Sequence, residues 1–102
     1  MKDILTVSQL NDLIKTFLED NFGSLWVEGE VSNLRRPPCG RVECALEDDK
    51  SRIRAVYFRQ YGQRAVKFDL EGGLKILCRA RLSTYPPRGE YQLIVESVEP
   101  QG

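Results

Sequence analysis

Residues 74–83 read Leu74-Lys75-Ile76-Leu77-Cys78-Arg79-Ala80-Arg81-Leu82-Ser83, and their two-residue alternation decides the fold class. Leu74, Ile76, Cys78, Ala80 and Leu82 form one row, and Lys75, Leu77, Arg79 and Arg81 form the other. A strand with this pattern buries one face and shows arginine on the opposite one. The small Ala80 among larger neighbours suits the tapered interior of a small barrel. Upstream, Val42, Cys44 and Leu46 alternate in the same way with Arg41, Glu43 and Glu47.

Leu25–Arg35, Arg41–Glu47, Arg52–Phe58, Leu74–Ser83 and Glu90–Val98 are thus five short strands separated by turn residues, which is an all-β pattern. Asp48-Asp49-Lys50-Ser51 predicts a tight polar hairpin. Arg36-Pro37-Pro38-Cys39-Gly40 cannot continue a ladder, because its two prolines lack N–H donors. In the third strand Ile53, Ala55 and Tyr57 make one row and Val56 and Phe58 the other. Both rows are buriable, so a bulge that swaps the core-facing row is expected there.

Before the strands, Thr6 to Asp20 carries the one long helical period, with Val7, Leu10, Leu13, Ile14, Phe17 and Leu18 on a single stripe. Thr6 and Gln9 form a capping-box pattern, and Asn21 and Gly23 supply residues for a left-handed stop. The stripe is expected to dock on the rest of the chain, with Trp26 as the staple. Gln60 to Asp69 predicts a short helix or loop between strands three and four. Five strands with an insertion at that point are the layout of an OB-fold barrel, here with an added N-terminal helix. An SH3-like barrel is the rival, and the length of the insertion favours the OB-fold.

The chain has 102 residues, 41% hydrophobic and 29% charged, in the range of one globular domain. The expected organisation is a single domain over 1–102, with the helix at 7–20 and the barrel at 25–99. The sequence has no His, which removes the commonest general base and metal ligand. Cys39, Cys44 and Cys78 make an odd number with no C-x-x-C pair, so reduced thiols are expected rather than a disulfide framework or zinc site. No Ser/His or Cys/His pair, phosphate-binding glycine loop or H-E-x-x-H motif is present. The acidic run Glu47-Asp48-Asp49 reads as solvation of a turn. No catalytic residue, metal or cofactor is therefore assigned. No signal-peptide pattern occurs, and no apolar run approaches the roughly 18 residues of a membrane span; the expected location is the cytoplasm, with no membrane partner.

Zero net charge hides an asymmetry. Residues 1–34 hold two lysines against six carboxylates, and every arginine lies at or after Arg35. Arginine suits phosphate and stacks on bases, so the split favours a polyanion partner, with a solvated surface as the bland alternative. OB-folds bind single strands on the outer face of strands two and three and on the loops between strands one and two and strands four and five. The first loop is flanked by Arg35, Arg36 and Arg41, and the second is Tyr85-Pro86-Pro87-Arg88-Gly89-Glu90-Tyr91. Arg52, Arg54, Arg59, Arg79 and Arg81 are candidates for the intervening groove, and Tyr57, Tyr85 and Tyr91 are candidates for stacking, with Tyr85 favoured. Tyr91 shares a row with Leu93 and Val95 and reads as core; the strand-four arginines have Glu96 or Glu43 as alternative partners.

Thr6-Val7-Ser8-Gln9-Leu10-Asn11, Val27-Glu28-Gly29-Glu30-Val31-Ser32-Asn33, Val56-Tyr57-Phe58-Arg59 and Tyr85-Pro86-Pro87-Arg88-Gly89-Glu90-Tyr91-Gln92-Leu93 together resemble the N-terminal domain of the exodeoxyribonuclease VII large subunit of bacteria, over essentially the whole chain. The resemblance implies a single-stranded-DNA-binding OB-fold ahead of a nuclease domain that degrades single strands from either end. It also implies a small-subunit partner recruited through a later part of the large subunit. On that reading the chain alone is not an enzyme. Where the family usually has Gly-His, Tyr-Phe and Leu-Lys-Asp, the chain has Gly40-Arg41, Glu43-Cys44 and Leu46-Glu47-Asp48, one aromatic and one lysine fewer on strand two. The expected function is a binding module for single-stranded DNA. A protein-interaction or oligomerisation module and a tRNA-binding module are the alternatives.

Overall fold

The computed structural model describes residues 2–37, 40–58 and 70–101. The chain begins with α1 (Val7–Asn21), whose start is fixed by the predicted capping box. The Gln9 backbone N–H donates to Thr6 Oγ1 at 3.1 Å, and the Thr6 N–H donates to Gln9 Oε1 at 2.9 Å, which satisfies two donors the first turn leaves unpaired. The stop differs from the expectation. Phe22 caps the helix in an extended conformation, and Asn21 stays helical, its side-chain amide donating to the Phe17 carbonyl at 2.8 Å.

Five strands follow among the described residues: β1 (Leu25–Arg35), β2 (Arg41–Glu47), β3 (Arg52–Phe58), β4 (Lys75–Tyr85) and β5 (Glu90–Pro100). They close in the order β1-β2-β3-β5-β4. All neighbours are antiparallel except β3 and β5, which run parallel. This is the predicted five-stranded, mainly β barrel with an N-terminal helix. The interval predicted as a short helix or loop, Gln60 to Asp69, lies outside the described residues, as do Cys39 and Arg59.

Closure requires β1 to serve two partners. Its first half pairs with β4, from Leu25 opposite Ala80 to Glu30 opposite Lys75, and its second half pairs with β2 from Glu30 opposite Glu47. Gly29 sits at the changeover, where an added Cβ would lie 3.2 Å from Leu46 Cβ and 3.4 Å from the Glu47 backbone. These contacts are tighter than ordinary van der Waals distances, so any other residue would make Leu46 or the Glu47 backbone give by a few tenths of an ångström. The interior is filled by alternate residues of every strand, including Val31, Val42, Leu46, Ile76, Cys78 and Leu93.

Bulges occur, but not in β3. Its pairing with β2 runs without a break from Arg52 opposite Glu47 to Phe58 opposite Arg41. Ile53, Ala55 and Tyr57 take the core side, while Val56 is buried on the other row between Glu43 of β2 and Ile94 of β5. Val56 is covered by its neighbours on both sides, whereas Arg52 and Phe58 of the same row stay exposed. The register shifts lie instead in β1, between Ser32 and Arg35, and in the β4–β5 pair beside Arg79 and Ala80. Asn33, inside the β1 bulge, holds the left-handed conformation at φ 50°, which asparagine tolerates better than most side chains.

The helix does not dock as predicted. It lies against β4 and the short 3-10 turn Pro86–Arg88 through polar contacts: the Asn11 side-chain amide donates to the Pro86 carbonyl at 2.9 Å, and Ser83 Oγ donates to Glu19 Oε2 at 2.7 Å. No helix residue is fully buried, and Leu10, Leu13, Ile14 and Phe17 remain exposed. Trp26, the expected staple, is also exposed.

Two predictions follow from this packing. Gly29→Val forces a branched side chain against Leu46 and the Glu47 backbone and should destabilise the fold by about 1–3 kcal/mol, the usual range for overpacking, read as a lower urea midpoint. Burial pushes the Cys44 and Cys78 thiols up from 9.0 to about 11, with Cys78 adding to the rise at Cys44. The folded state then holds these protons more tightly than the unfolded chain does. Stability should be intact below about pH 9 and decline as the pH rises toward 11, measured by urea unfolding across that interval.

Candidate nucleic-acid interface

One open groove of about 630 Å³ crosses the outer face of β2 and β3 and runs to the β4–β5 hairpin. Asn33 and Arg35 enter it from β1, Arg52 and Arg54 from β3, and Arg88 with Tyr91 from the hairpin. The β1 bulge has a direct consequence here, because the one extra residue between Ser32 and Arg35 re-aims Arg35 after the regular pairing ends at Ser32. The hairpin is shaped with equal economy. Pro86 and Pro87 preset the 3-10 turn and Gly89 ends it in the left-handed region at φ 61°, so Arg88 is held on a turn with few alternative conformations.

The arginines are not equally free. Glu43, whose side chain is 19% exposed, accepts from Arg54 at 2.6 Å and from Arg41 at 2.9 Å. Glu47 pairs with Arg52 at 3.2 Å. Arg54 also lies 5.5 Å from the centroid of the Tyr85 ring, so it is fixed on one side by a carboxylate and on the other by an aromatic face. Arg35 and Arg88 make no ion pair among the described residues. Four arginines therefore face two carboxylates, Glu43 and Glu90, along the groove lining. The opposite sign prevails at another cavity, where Glu28, Glu30, Glu47, Asp48 and Asp49 surround Lys75. A polyanion approaching the barrel is attracted to one site and repelled from the other.

Of the residues singled out from sequence, Arg35, Arg52, Arg54 and Arg88 meet in the groove, and Arg41 borders it through Glu43. Arg36 turns away and donates to the Leu70 carbonyl. Arg79 and Arg81 stand on β4, which is separated from β2 by β1 and from β3 by β5; they lie on a different wall of the barrel. Neither suggested partner joins them: Glu43 is held by Arg41 and Arg54, and Glu96 accepts from Ser24 Oγ at 2.6 Å. Tyr57 belongs to the core and is 9% exposed, so it has no face for a base. One face of Tyr85 is taken by Arg54, which makes it a support for that arginine. Arg59 lies outside the described residues.

Tyr91 reverses the expectation that it is core. It is 61% exposed and is the aromatic ring lining the groove. Its row does point inward, but β3 first pairs with β5 at Gln92, so Tyr91 lies past the rim, where no opposite wall covers it. Glu43 and Asn33 were also missed. The signal for Glu43 was its register opposite Val56 and beside Arg54, which single-strand parity does not give. The signal for Asn33 was its tolerance of positive φ.

Residues 5–99 match the family described as OB-fold nucleic acid binding domain. Over 101 residues the chain is 52% identical to the exodeoxyribonuclease 7 large subunit of Geotalea uraniireducens (strain Rf4), covering 99% of this chain and 22% of that protein. The same subunit of Geobacter sulfurreducens is 50% identical over the same shares, and that of Pseudomonas syringae pv. tomato 46%. The chain thus spans about a fifth of the length of these relatives. Among solved structures, a replication protein A heterotrimer bound to ssDNA superposes with a TM-score of 0.63 at 14% identity, over 79% of this chain and 59% of that one. The Stn1–Ten1 complex of S. pombe gives 0.61 at 18% identity, over 76% and 57%. The structural likeness carries the fold alone, whereas the family match and the sequence identities carry descent: the chain belongs to the OB-fold nucleic acid binding domain family and matches part of the exodeoxyribonuclease VII large subunit.

Proposed function

We propose that the groove binds single-stranded DNA without sequence preference, as the binding module of an exodeoxyribonuclease VII large subunit. The observation that carries this reading is the convergence of Arg35, Arg52, Arg54, Arg88 and the exposed Tyr91 on one surface built from three separate elements. The guanidinium groups neutralise phosphates, and the ring of Tyr91 takes a base face, which every base offers. On this reading the module's part is to hold the strand and present it to a nuclease domain elsewhere in the subunit, acting from either end in the cytoplasm. The small subunit would be engaged by the remainder of the large subunit.

A second reading draws on a separate observation. The α1 stripe of Leu10, Leu13, Ile14 and Phe17 is 43–63% exposed, and an apolar stripe of this kind marks a surface that another protein covers. An interaction or oligomerisation role for α1 leaves the arginine groove itself open, since the arginines stand on β1, β3 and the hairpin.

Fluorescence anisotropy of labelled oligo-dT at two salt concentrations tests the first reading. Affinity should fall with salt, with a slope near −0.7 per phosphate contact. Arg35→Glu and Arg88→Glu, which break no ion pair, should each weaken binding by roughly tenfold and flatten the slope. Salt-independent binding, or none at high protein concentration, contradicts it. Glu43 competes with phosphate for Arg54 and Arg41, so Glu43→Gln should tighten oligo-dT binding by about 3–10-fold and steepen the slope; weaker binding would mean that Glu43 serves only to position the arginines. Sedimentation of wild type and a Phe17→Glu variant tests the second reading, which expects concentration-dependent association in the former and its loss in the latter.

A further inference from the structure

A second, more enclosed cavity of about 230 Å³ lies between α1 and the β4–β5 hairpin. Ile14 and Leu18 form its helical wall, Thr84 and Tyr91 the strand wall, and Asn11 completes the lining from the helix. The cavity exists because α1 is held to the barrel by the Asn11–Pro86 and Glu19–Ser83 hydrogen bonds, not by an apolar seam that would fill the space.

Its chemistry differs from that of the groove. Two aliphatic side chains and an aromatic ring make it apolar, and among the described residues no cation lines it, while Glu90 adds a carboxylate. A phosphate is therefore excluded. The polar groups present are few. Asn11 gives its amide nitrogen to Pro86 and so keeps an oxygen to accept with. Thr84, 8% exposed, has a hydroxyl with no hydrogen-bond partner, and such a rotor can donate or accept. A narrow slot with apolar walls and isolated edge groups fits a flat ring that is apolar on its faces and polar at its rim. Its volume is below that of sites for drug-sized ligands, which suits one ring system.

The slot is continuous with the groove, because Gly89, Glu90 and Tyr91 line both. Tyr91 is the partition between them. Resting on the reading of the groove as a single-strand site, we propose that the slot takes one unstacked nucleobase of the bound strand, between Tyr91 and the Ile14–Leu18 face of α1. The strand's phosphates stay with the arginines while one base turns past Tyr91 into the apolar side. Single strands are routinely bound with bases splayed onto aromatic and apolar groups. On this account α1 is part of the binding site.

The test compares oligo-dT with a fully abasic strand of equal length, which keeps every phosphate and removes every base. Leu18→Trp fills the slot. It should weaken oligo-dT binding by roughly tenfold, leave the salt slope unchanged, and leave the affinity for the abasic strand unchanged, with folding checked by circular dichroism. Thr84→Val keeps the volume and removes the hydroxyl; it should alter the ratio of affinities for oligo-dT and oligo-dA. Because Leu18 is partly packed, a second measurement uses the unaltered protein and a strand cut to the shortest length that binds, so that one register dominates: 2-aminopurine placed at each position in turn should be shielded from acrylamide at one position well above the others. Equal losses on both strands, unchanged or tighter oligo-dT binding by Leu18→Trp, or equal shielding at every position of the shortest binding strand overturns the slot while leaving the groove intact. Failure of the unaltered protein to bind oligo-dT removes the groove reading, and the slot with it.

Discussion

The double pairing of β1 is the constraint from which the rest of the molecule follows. A single strand of eleven residues must close the sheet against β4 with one half and against β2 with the other. Gly29 eases the changeover, because a Cβ there would sit tightly against Leu46 and the Glu47 backbone. Closure in turn fixes where the outer faces lie. It sets β2 and β3 side by side as one exposed surface, carries the end of β1 to its edge, and places the β4–β5 hairpin beside it. The bulge at Asn33 is the last adjustment, because it points Arg35 into the groove.

Within that frame the charges are arranged for restraint. A surface of arginines alone would bind any polyanion tightly, yet Glu43 occupies two guanidinium groups and Glu47 a third. The exposed Arg52–Glu47 pair contributes little to stability, about 0–1 kcal/mol, and its main effect is on ligand binding; the half-buried Glu43 pairs also fix the position of Arg54. A phosphate that enters must displace or share an existing carboxylate contact. The free attraction is thereby concentrated at Arg35 and Arg88, on either flank of the groove, with Tyr91 beside the latter. A module that passes a strand onward benefits from weak, redistributable contacts, since tight capture would slow release.

Much of the fold was legible because alternation reports which side of a strand is buried. The limits of β1, β2 and β3 and the capping box at Thr6 and Gln9 coincide with those read from sequence. What alternation does not report is the neighbour across the ladder, and the site depends on neighbours. Arg79 and Arg81 have the outward parity of Arg52 and Arg54 but stand on a different wall. Tyr91 has the inward parity of Leu93 but lies past the rim, and Tyr57 is inward on a strand whose outer row mixes Arg52 and Arg54 with Val56 and Phe58. The helix shows the same gap between pattern and placement: its stripe is as predicted, yet β4 receives the polar edge beside it.

The central claim is that a single strand lies along the groove between β1, β3 and the β4–β5 hairpin. The most direct measurement is a titration of isotopically labelled protein with oligo-dT, followed by amide and arginine side-chain NMR shifts. The account predicts perturbations confined to Asn33, Arg35, Arg52, Arg54 and the segment from Arg88 to Tyr91, extending to the facing residues of α1. Perturbations centred on Arg79 and Arg81, or at the acidic cavity around Lys75, would contradict it.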